Sequence, residues 1–223
     1  MSKKIEFYVS AISDNPKNLF RNLEIYQKKG ISGIHFDVMD GVFVPRLGLY
    51  PELLREIRKE TDLPIEVHLM TINPNSYLED LVSSGANRII IHLESVVHVH
   101  RVISEIKKFG VEVGIALNPS TTIENLEFIM NEIDVVLLMS INPGIPKHSF
   151  IPSTIPKLKK LKKFIESYKT NNVIAIDGGV TFDNLNILKE FGANRLVCGS
   201  GTIFNLDRSL EENLELLSKA RLK

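Results

Sequence analysis

Ile34-His35-Phe36-Asp37, Ile65-Glu66-Val67-His68 and Val173-Ile174-Ala175-Ile176-Asp177 are short apolar runs that each end in a side chain able to ligate a metal. Each has the length and β-branched content of a buried strand. The same kind of run recurs along the chain, and eight can be marked: Ile5 to Ser10, Gly33 to Val38, Ile65 to Leu69, Arg88 to His92, Glu112 to Leu117, Val135 to Met139, Val173 to Asp177 and Arg195 to Gly199. Amphipathic stretches separate them at roughly 25 to 40 residues per unit, enough for strand, loop, helix and return loop. The pattern predicts an α/β fold, a single-domain TIM (β/α)8 barrel over residues 1–223.

Punctuation supports the same division. Gly30, Gly85, Gly110 and Gly192 stand where a helix would end and a strand begin, as left-handed C′ residues do. Two returns echo each other, Gly85-Ala86-Asn87-Arg88-Ile89 and Gly192-Ala193-Asn194-Arg195-Leu196, which is either a trace of half-barrel repetition or chance. Asn73-Pro74, Asn118-Pro119 and Asn142-Pro143 follow strands three, five and six, and Asn-Pro favours a turn into a new element. The lysines of Lys157 to Lys163 are interleaved with Leu158, Leu161, Phe164 and Ile165 at helical spacing, so they read as the solvated face of the helix after strand six.

Composition narrows the classes of function. Lys plus Arg and Asp plus Glu are 27 each, so no net charge is available for non-specific nucleic-acid binding. No apolar stretch approaches the roughly 20 residues of a membrane span. The N-terminal Ile5 to Val9 run contains Glu6 and is too short for a signal segment, and the expected location is the cytoplasm. Cys198, the single cysteine, lies in an apolar run and reads as a small buried hydrophobe.

If the strands are parallel members of one barrel, their C-terminal ends share a rim, where barrel active sites form. His35 and Asp37 are two apart and face the same side of an extended strand. A lone histidine or aspartate at a strand end is usually satisfied by hydrogen bonds. Two imidazoles and two carboxylates converging at one rim are instead a donor set for a divalent cation, with zinc expected and iron(II), manganese or cobalt also suited. Asp177-Gly178-Gly179 and Gly199-Ser200-Gly201 end strands seven and eight, where glycine-loop amides commonly bind phosphate. Met39, Met70 and Met139 occupy equivalent rim positions and read either as packing under the loops or as a water-poor floor.

These segments carry a resemblance. The motifs His35-Phe36-Asp37-Val38-Met39-Asp40-Gly41-Val42-Phe43-Val44-Pro45, Val67-His68-Leu69-Met70, Gly114-Ile115-Ala116-Leu117-Asn118-Pro119, Met139-Ser140-Ile141-Asn142-Pro143-Gly144 and Ile176-Asp177-Gly178-Gly179-Val180 resemble, in order, those of the ribulose-phosphate 3-epimerases. The resemblance implies one divalent metal per subunit, held by His35, Asp37, His68 and Asp177, with Asp37 and Asp177 as the acid–base pair. It implies a small-molecule ketose phosphate as substrate, reversible conversion of D-ribulose 5-phosphate to D-xylulose 5-phosphate, and a homo-oligomer. Inverting a carbon beside a ketone needs proton transfer on both faces, which two flanking carboxylates provide, with the cation stabilising an enediolate as a Lewis acid. Substrate contacts are expected from Ser10, His68, Gly144, Lys147, Gly178, Gly179, Gly199 and Ser200.

Two loops depart from the family pattern. Gly144-Ile145-Pro146-Lys147-His148 stands where the family has Gly-Phe-Gly-Gly-Gln. Pro146 removes an N–H that could bind phosphate, and Lys147 either compensates as a mobile cation or is an exposed lid lysine. Arg46-Leu47-Gly48-Leu49-Tyr50 replaces Asn-Leu-Thr/Ser, an apolar residue and Gly, placing bulk and charge near the mouth. The alternatives to weigh are therefore epimerisation of another ketose phosphate such as D-allulose 6-phosphate, metal-assisted hydrolysis, and a non-catalytic sugar-phosphate binder. A decarboxylase is disfavoured because the Glu66-Val67-His68 strand lacks a lysine-centred acidic array.

Overall fold

Residues 5–145 and 149–222 are described by the computed structural model. Eight parallel strands, β1 (Glu6–Ser10), β2 (Gly33–Met39), β3 (Ile65–Met70), β4 (Arg88–His92), β5 (Glu112–Leu117), β6 (Val135–Met139), β7 (Val173–Asp177) and β8 (Arg195–Cys198), pair in chain order. β8 returns to β1 and closes the barrel. The expected strands are all present, with shifts confined to the end residues. The helices are α1 (Leu19–Lys28), α2 (Pro51–Glu60), α3 (Leu78–Ser83), α4 (Val99–Lys108), α5 (Thr154–Tyr168), α6 (Leu185–Glu190) and α7 (Leu210–Leu222). The β5–β6 connection departs from a strict βα repeat: it carries two 3-10 turns, Ile123–Leu126 and Met130–Glu132.

Alternation along each strand sorts side chains between two compartments. Ile34, Phe36 and Val38 join Leu23, Leu54 and Ile57 in the layer between barrel and helices. The intervening His35 and Asp37 therefore point to the barrel interior. The interior holds a smaller apolar cluster of Ile90, Ala116, Val135, Leu137, Met139 and Ala175. Gly33 has no room for a side chain, because a Cβ there would lie 2.4 Å from the Tyr8 ring, so Tyr8 fills the interior opposite it.

The N-terminal end of the barrel is plugged by charge. Glu66, fully buried, accepts hydrogen bonds from Arg195 at 2.6 Å and Arg88 at 3.1 Å. Arg195 also pairs with Glu6, Arg88 also pairs with Glu112, and the Arg195 guanidinium lies over the Tyr8 ring. The echoed turns have the same job on opposite sides of the barrel. Asn87 donates its N–H to Ile65 O and accepts the Ile65 N–H on Oδ1; Asn194 does both with Ile174. Each turn thereby delivers the next residue, Arg88 or Arg195, to Glu66.

The four glycines expected at helix ends all have positive φ, from 73° to 113°. On α5 the expected solvated lysine face holds for Lys159, Lys160, Lys162 and Lys163, which are exposed. Lys157 does not belong to it: it is half-buried and donates to Asn118 O at 2.6 Å, because α5 packs against the loop after β5. Cys198 is buried, and burial pushes its thiol up to about 12, so it behaves as a small hydrophobe. No helix among the described residues is long and apolar enough to cross a membrane.

Candidate metal centre and active site

Register brings the rim residues together. Asp37 on β2 pairs with His68 on β3, and Met139 on β6 pairs with Asp177 on β7. One potential ligand atom from each of His35, Asp37, His68 and Asp177 lies within 4.8 Å of the others. Asp37 Oδ1 is 3.1 Å from His35 Nε2 and 3.2 Å from His68 Nδ1, and Asp177 Oδ2 is 3.8 Å from both nitrogens. The mixed nitrogen and oxygen set, converging in a buried place, fits a divalent cation. His35 is further oriented from behind, its Nδ1–H donating to Glu66 Oε1 at 2.8 Å. That bond leaves Nε2 as the nitrogen offered to a cation.

The two carboxyls occupy opposite ends of their titration range. Burial raises the Asp177 carboxyl to about 6, against attraction to His35 and with help from the charges of Asp37 and Glu66. Burial also opposes charge on Asp37, but the charge and hydrogen bonds of His35 and His68 win and hold it well below the usual carboxylate range. Burial disfavours a charged His35 too, yet Asp37 and Glu66 raise it well above its ordinary value. Ligation must therefore displace the His35 Nε2 proton and, below about pH 6, that of Asp177 as well. Chelator-competition titrations are expected to show cation affinity rising with pH, most steeply below about pH 6, where Asp177 must also lose its proton. An affinity flat across that range would rule out these ligands.

Asp37 and Asp177 also line a cavity of about 740 Å³ at the C-terminal end of the barrel. Ser10, Gly144, Gly178, Gly179, Gly199 and Ser200 line it, as do Met39, Met70 and Met139. The three methionines are nearly inaccessible, Met39 and Met70 packing on Val44 and Met139 on the interior cluster, so both readings of them hold at once: they pack and they form an apolar wall. Gly178 has φ of 97°, and a Cβ there would lie 2.3 Å from Ile141, so the turn after Asp177 is open only to glycine.

His68 is wholly buried beneath Asp37 and does not line the cavity, which fits a ligand better than a substrate contact. Of the divergent loops, Arg46 lies in the cavity wall, whereas Tyr50 faces solvent at the start of α2. Lys147, with Pro146 and His148, lies outside the described residues. Residues without a role in the sequence reading also line the cavity, among them Ile12, Phe150, Thr181 and Asn184. A larger omission lies behind the ligands, in Glu66, His92 and Glu94, polar groups that touch the cluster or its neighbours.

The fold and this site define a TIM-barrel enzyme with paired carboxyls beside a candidate metal centre. Comparison with known proteins narrows the class. The model of the ribulose-phosphate 3-epimerase family matches residues 6–204. Ribulose-phosphate 3-epimerase of Bacillus subtilis is 38% identical over 200 residues, covering 89% of this chain and 92% of that protein. The enzyme of Synechocystis is 37% identical over 92% of this chain and 90% of its own length. The chloroplastic ribulose-5-phosphate-3-epimerase of Arabidopsis thaliana is 39% identical over 86% of this chain and 69% of its own. The chain belongs to the ribulose-phosphate 3-epimerase family, and is an isomerase of the epimerase class acting on carbohydrates. Among solved structures, the tryptophan synthase alpha-subunit of Pyrococcus furiosus superposes with a TM-score of 0.68 at 19% identity, over 99% of this chain and 98% of that one. That likeness is one of fold alone.

Proposed function

We infer that this protein inverts C3 of a ketose phosphate, with D-ribulose 5-phosphate and D-xylulose 5-phosphate as the interconverted pair. The observation that carries the reading is one cavity walled by two carboxyls, Asp37 from β2 and Asp177 from β7, that also belong to the candidate metal cluster. Such a pair suits a reaction in which one group accepts a proton while the other gives one. In one direction Asp37 takes the C3 proton and Asp177 returns a proton on the opposite face; in the reverse direction the roles exchange. His35, Asp37, His68 and Asp177 would hold a divalent cation, whose positive charge favours the oxygens that become negative as the C3 proton leaves. The methionine wall keeps water from quenching the carbanionic carbon. Amides at Gly178, Gly179 and Gly199, with Ser200, would take the phosphate, and Ser10 stands nearby with its hydroxyl 3.0 Å from that of Ser13.

A second substrate reading has its own support. Arg46 in the cavity wall adds a cation where the family has a neutral side chain. It favours a different or longer ketose phosphate, such as D-allulose 6-phosphate. A panel of ketose phosphates in deuterated water, with zinc, iron(II), manganese or cobalt supplied, separates the readings: the true substrate acquires deuterium at C3 as it epimerises. Metal-loaded protein that labels none of the panel at C3 would sink the epimerase assignment.

A homo-oligomer is expected. Asp40 accepts the N–H groups of Val42 and Phe43 on one oxygen and that of Ile72 on the other, and it pairs through its backbone with Leu47. This draws Val42, Leu47 and Ile72 together on the rim, 68%, 75% and 57% exposed. Grouped apolar side chains of this kind suit contact with a second copy. Light scattering after size exclusion should give a mass above one chain, and Leu47→Glu should lower it; a wild-type monomer would overturn the expectation.

A further inference from the structure

The two candidate histidine ligands are oriented by different means. His35 rests directly on a carboxylate, Glu66. His68 rests on another imidazole: its Nε2 is 2.9 Å from Nε2 of His92, whose Nδ1 is 3.1 Å from Glu94 Oε2. His92 is fully buried at the end of β4, with its ring against those of His68 and Phe43. The other Glu94 oxygen accepts the Asn118 N–H at 2.8 Å and the Thr121 hydroxyl, both from the loop after β5.

We propose that Glu94 and His92 form a proton-ordering relay that fixes His68 with its proton on Nε2 and its lone pair on Nδ1, toward the metal centre. The relay makes both residues positioning residues for a ligand they orient without themselves binding the cation. The argument is a count of donors and acceptors. Glu94 accepts on both oxygens, so His92 must donate from Nδ1. A neutral imidazole has one N–H, so His92 Nε2 is left as an acceptor. With a cation in the cluster, the His68 Nδ1 lone pair is taken by the cation rather than set against Asp37 Oδ1, 3.2 Å away, and His68 donates from Nε2. The reverse order would place the His92 proton on Nε2 and set two lone pairs, His92 Nδ1 and Glu94 Oε2, against each other at 3.1 Å.

The inference rests on the metal reading of the cluster and adds a chain of control reaching the loop after β5. Glu94→Gln is the sharpest perturbation. The Asn118 N–H can only donate, so the amide oxygen of the substituted side chain must turn toward it, leaving the amide NH₂ to face His92 Nδ1. His92 then carries its proton on Nε2, His68 accepts it, and the His68 proton moves to Nδ1, where a cation should bind.

The test combines a nitrogen-15 NMR reading of histidine tautomers with zinc titration against a competing chelator. In zinc-loaded wild-type protein the His92 proton is expected on Nδ1. In Glu94→Gln it should move to Nε2, and zinc binding should weaken by about 10- to 100-fold, the usual cost of losing an outer-shell partner of a ligand. His92→Phe, which removes the acceptor altogether, should weaken zinc by a similar factor. A His92 proton on Nε2 in zinc-loaded wild-type protein overturns the relay, as does a folded Glu94→Gln protein with unchanged zinc affinity. Wild-type protein that binds no zinc, iron(II), manganese or cobalt would fail the metal reading and the relay with it, whereas zinc bound with the His92 proton on Nε2 would fail the relay alone.

Discussion

Replacing Asp177 by Asn is expected to lower turnover by about 10²- to 10⁴-fold, the range that one positioned acid or base supplies. Asp177 ends β7, its side chain 16% exposed, with one face to the ligand cluster and one to the cavity. Asparagine keeps the shape and an oxygen able to ligate, so the cation should be retained, though more weakly. What it cannot do is take or give the proton at C3. The loss should fall on inversion more than on exchange. Asp37 can still remove and return a proton on its own side, so one epimer should exchange its C3 hydrogen with deuterated water without changing configuration. That asymmetry separates loss of one proton carrier from general damage to the site. A variant that inverts substrate within a factor of about two of wild type would remove Asp177 from the acid–base pair.

The second large effect is expected at Glu66, which touches neither cavity nor substrate. Glu66→Leu leaves the guanidiniums of Arg195 and Arg88, with side chains 2% and 9% exposed, facing no buried carboxylate. Breaking a buried pair from one side costs about 3–5 kcal/mol. At about 2–4 °C per kcal/mol for a domain of this size, the melting temperature should fall by roughly 6–20 °C. Glu66→Gln, which keeps the shape and an acceptor, should lose less. The pH dependence gives a second check. Burial opposes the Glu66 charge, but the hydrogen bond with His35 and the charges of Arg195, His35 and Arg88 hold its carboxyl down to about 2, against an unfolded value of 4.5. Its stabilisation is therefore full above pH 4.5 and is lost as pH falls toward about 2. The gap between wild type and Glu66→Leu, followed by thermal unfolding, should narrow over that interval. Equal melting temperatures at neutral pH would refute the role given to the plug.

The strands were legible because each is buried on both faces, so β-branched runs appear without alternation. His35, Asp37, His68 and Asp177 were legible because ligand-type residues at the C-terminal ends of strands reach one rim whatever the loops do. The groups behind them were hidden for a physical reason. Glu66 reads as a polar interruption in β3, and nothing local reveals that Arg88, 22 residues on, and Arg195, 129 residues on, meet it inside the barrel. His92 and Glu94 were likewise silent, since their contacts with His68 and Asn118 depend on how three neighbouring strands are set side by side. Lys157 looked like its exposed neighbours because helical spacing cannot tell which flank of α5 meets a loop.

The plug also orders events in time. Arg195 lies on β8, the barrel strand made after the other seven, and that strand closes the barrel against β1. Until it docks, Glu66 lacks its shortest guanidinium contact, and His35 rests on a carboxylate not yet neutralised on that side. Closing the cylinder and finishing the histidine's support are thus a single step of maturation. A nascent chain in which β8 has not docked therefore lacks part of the support behind His35.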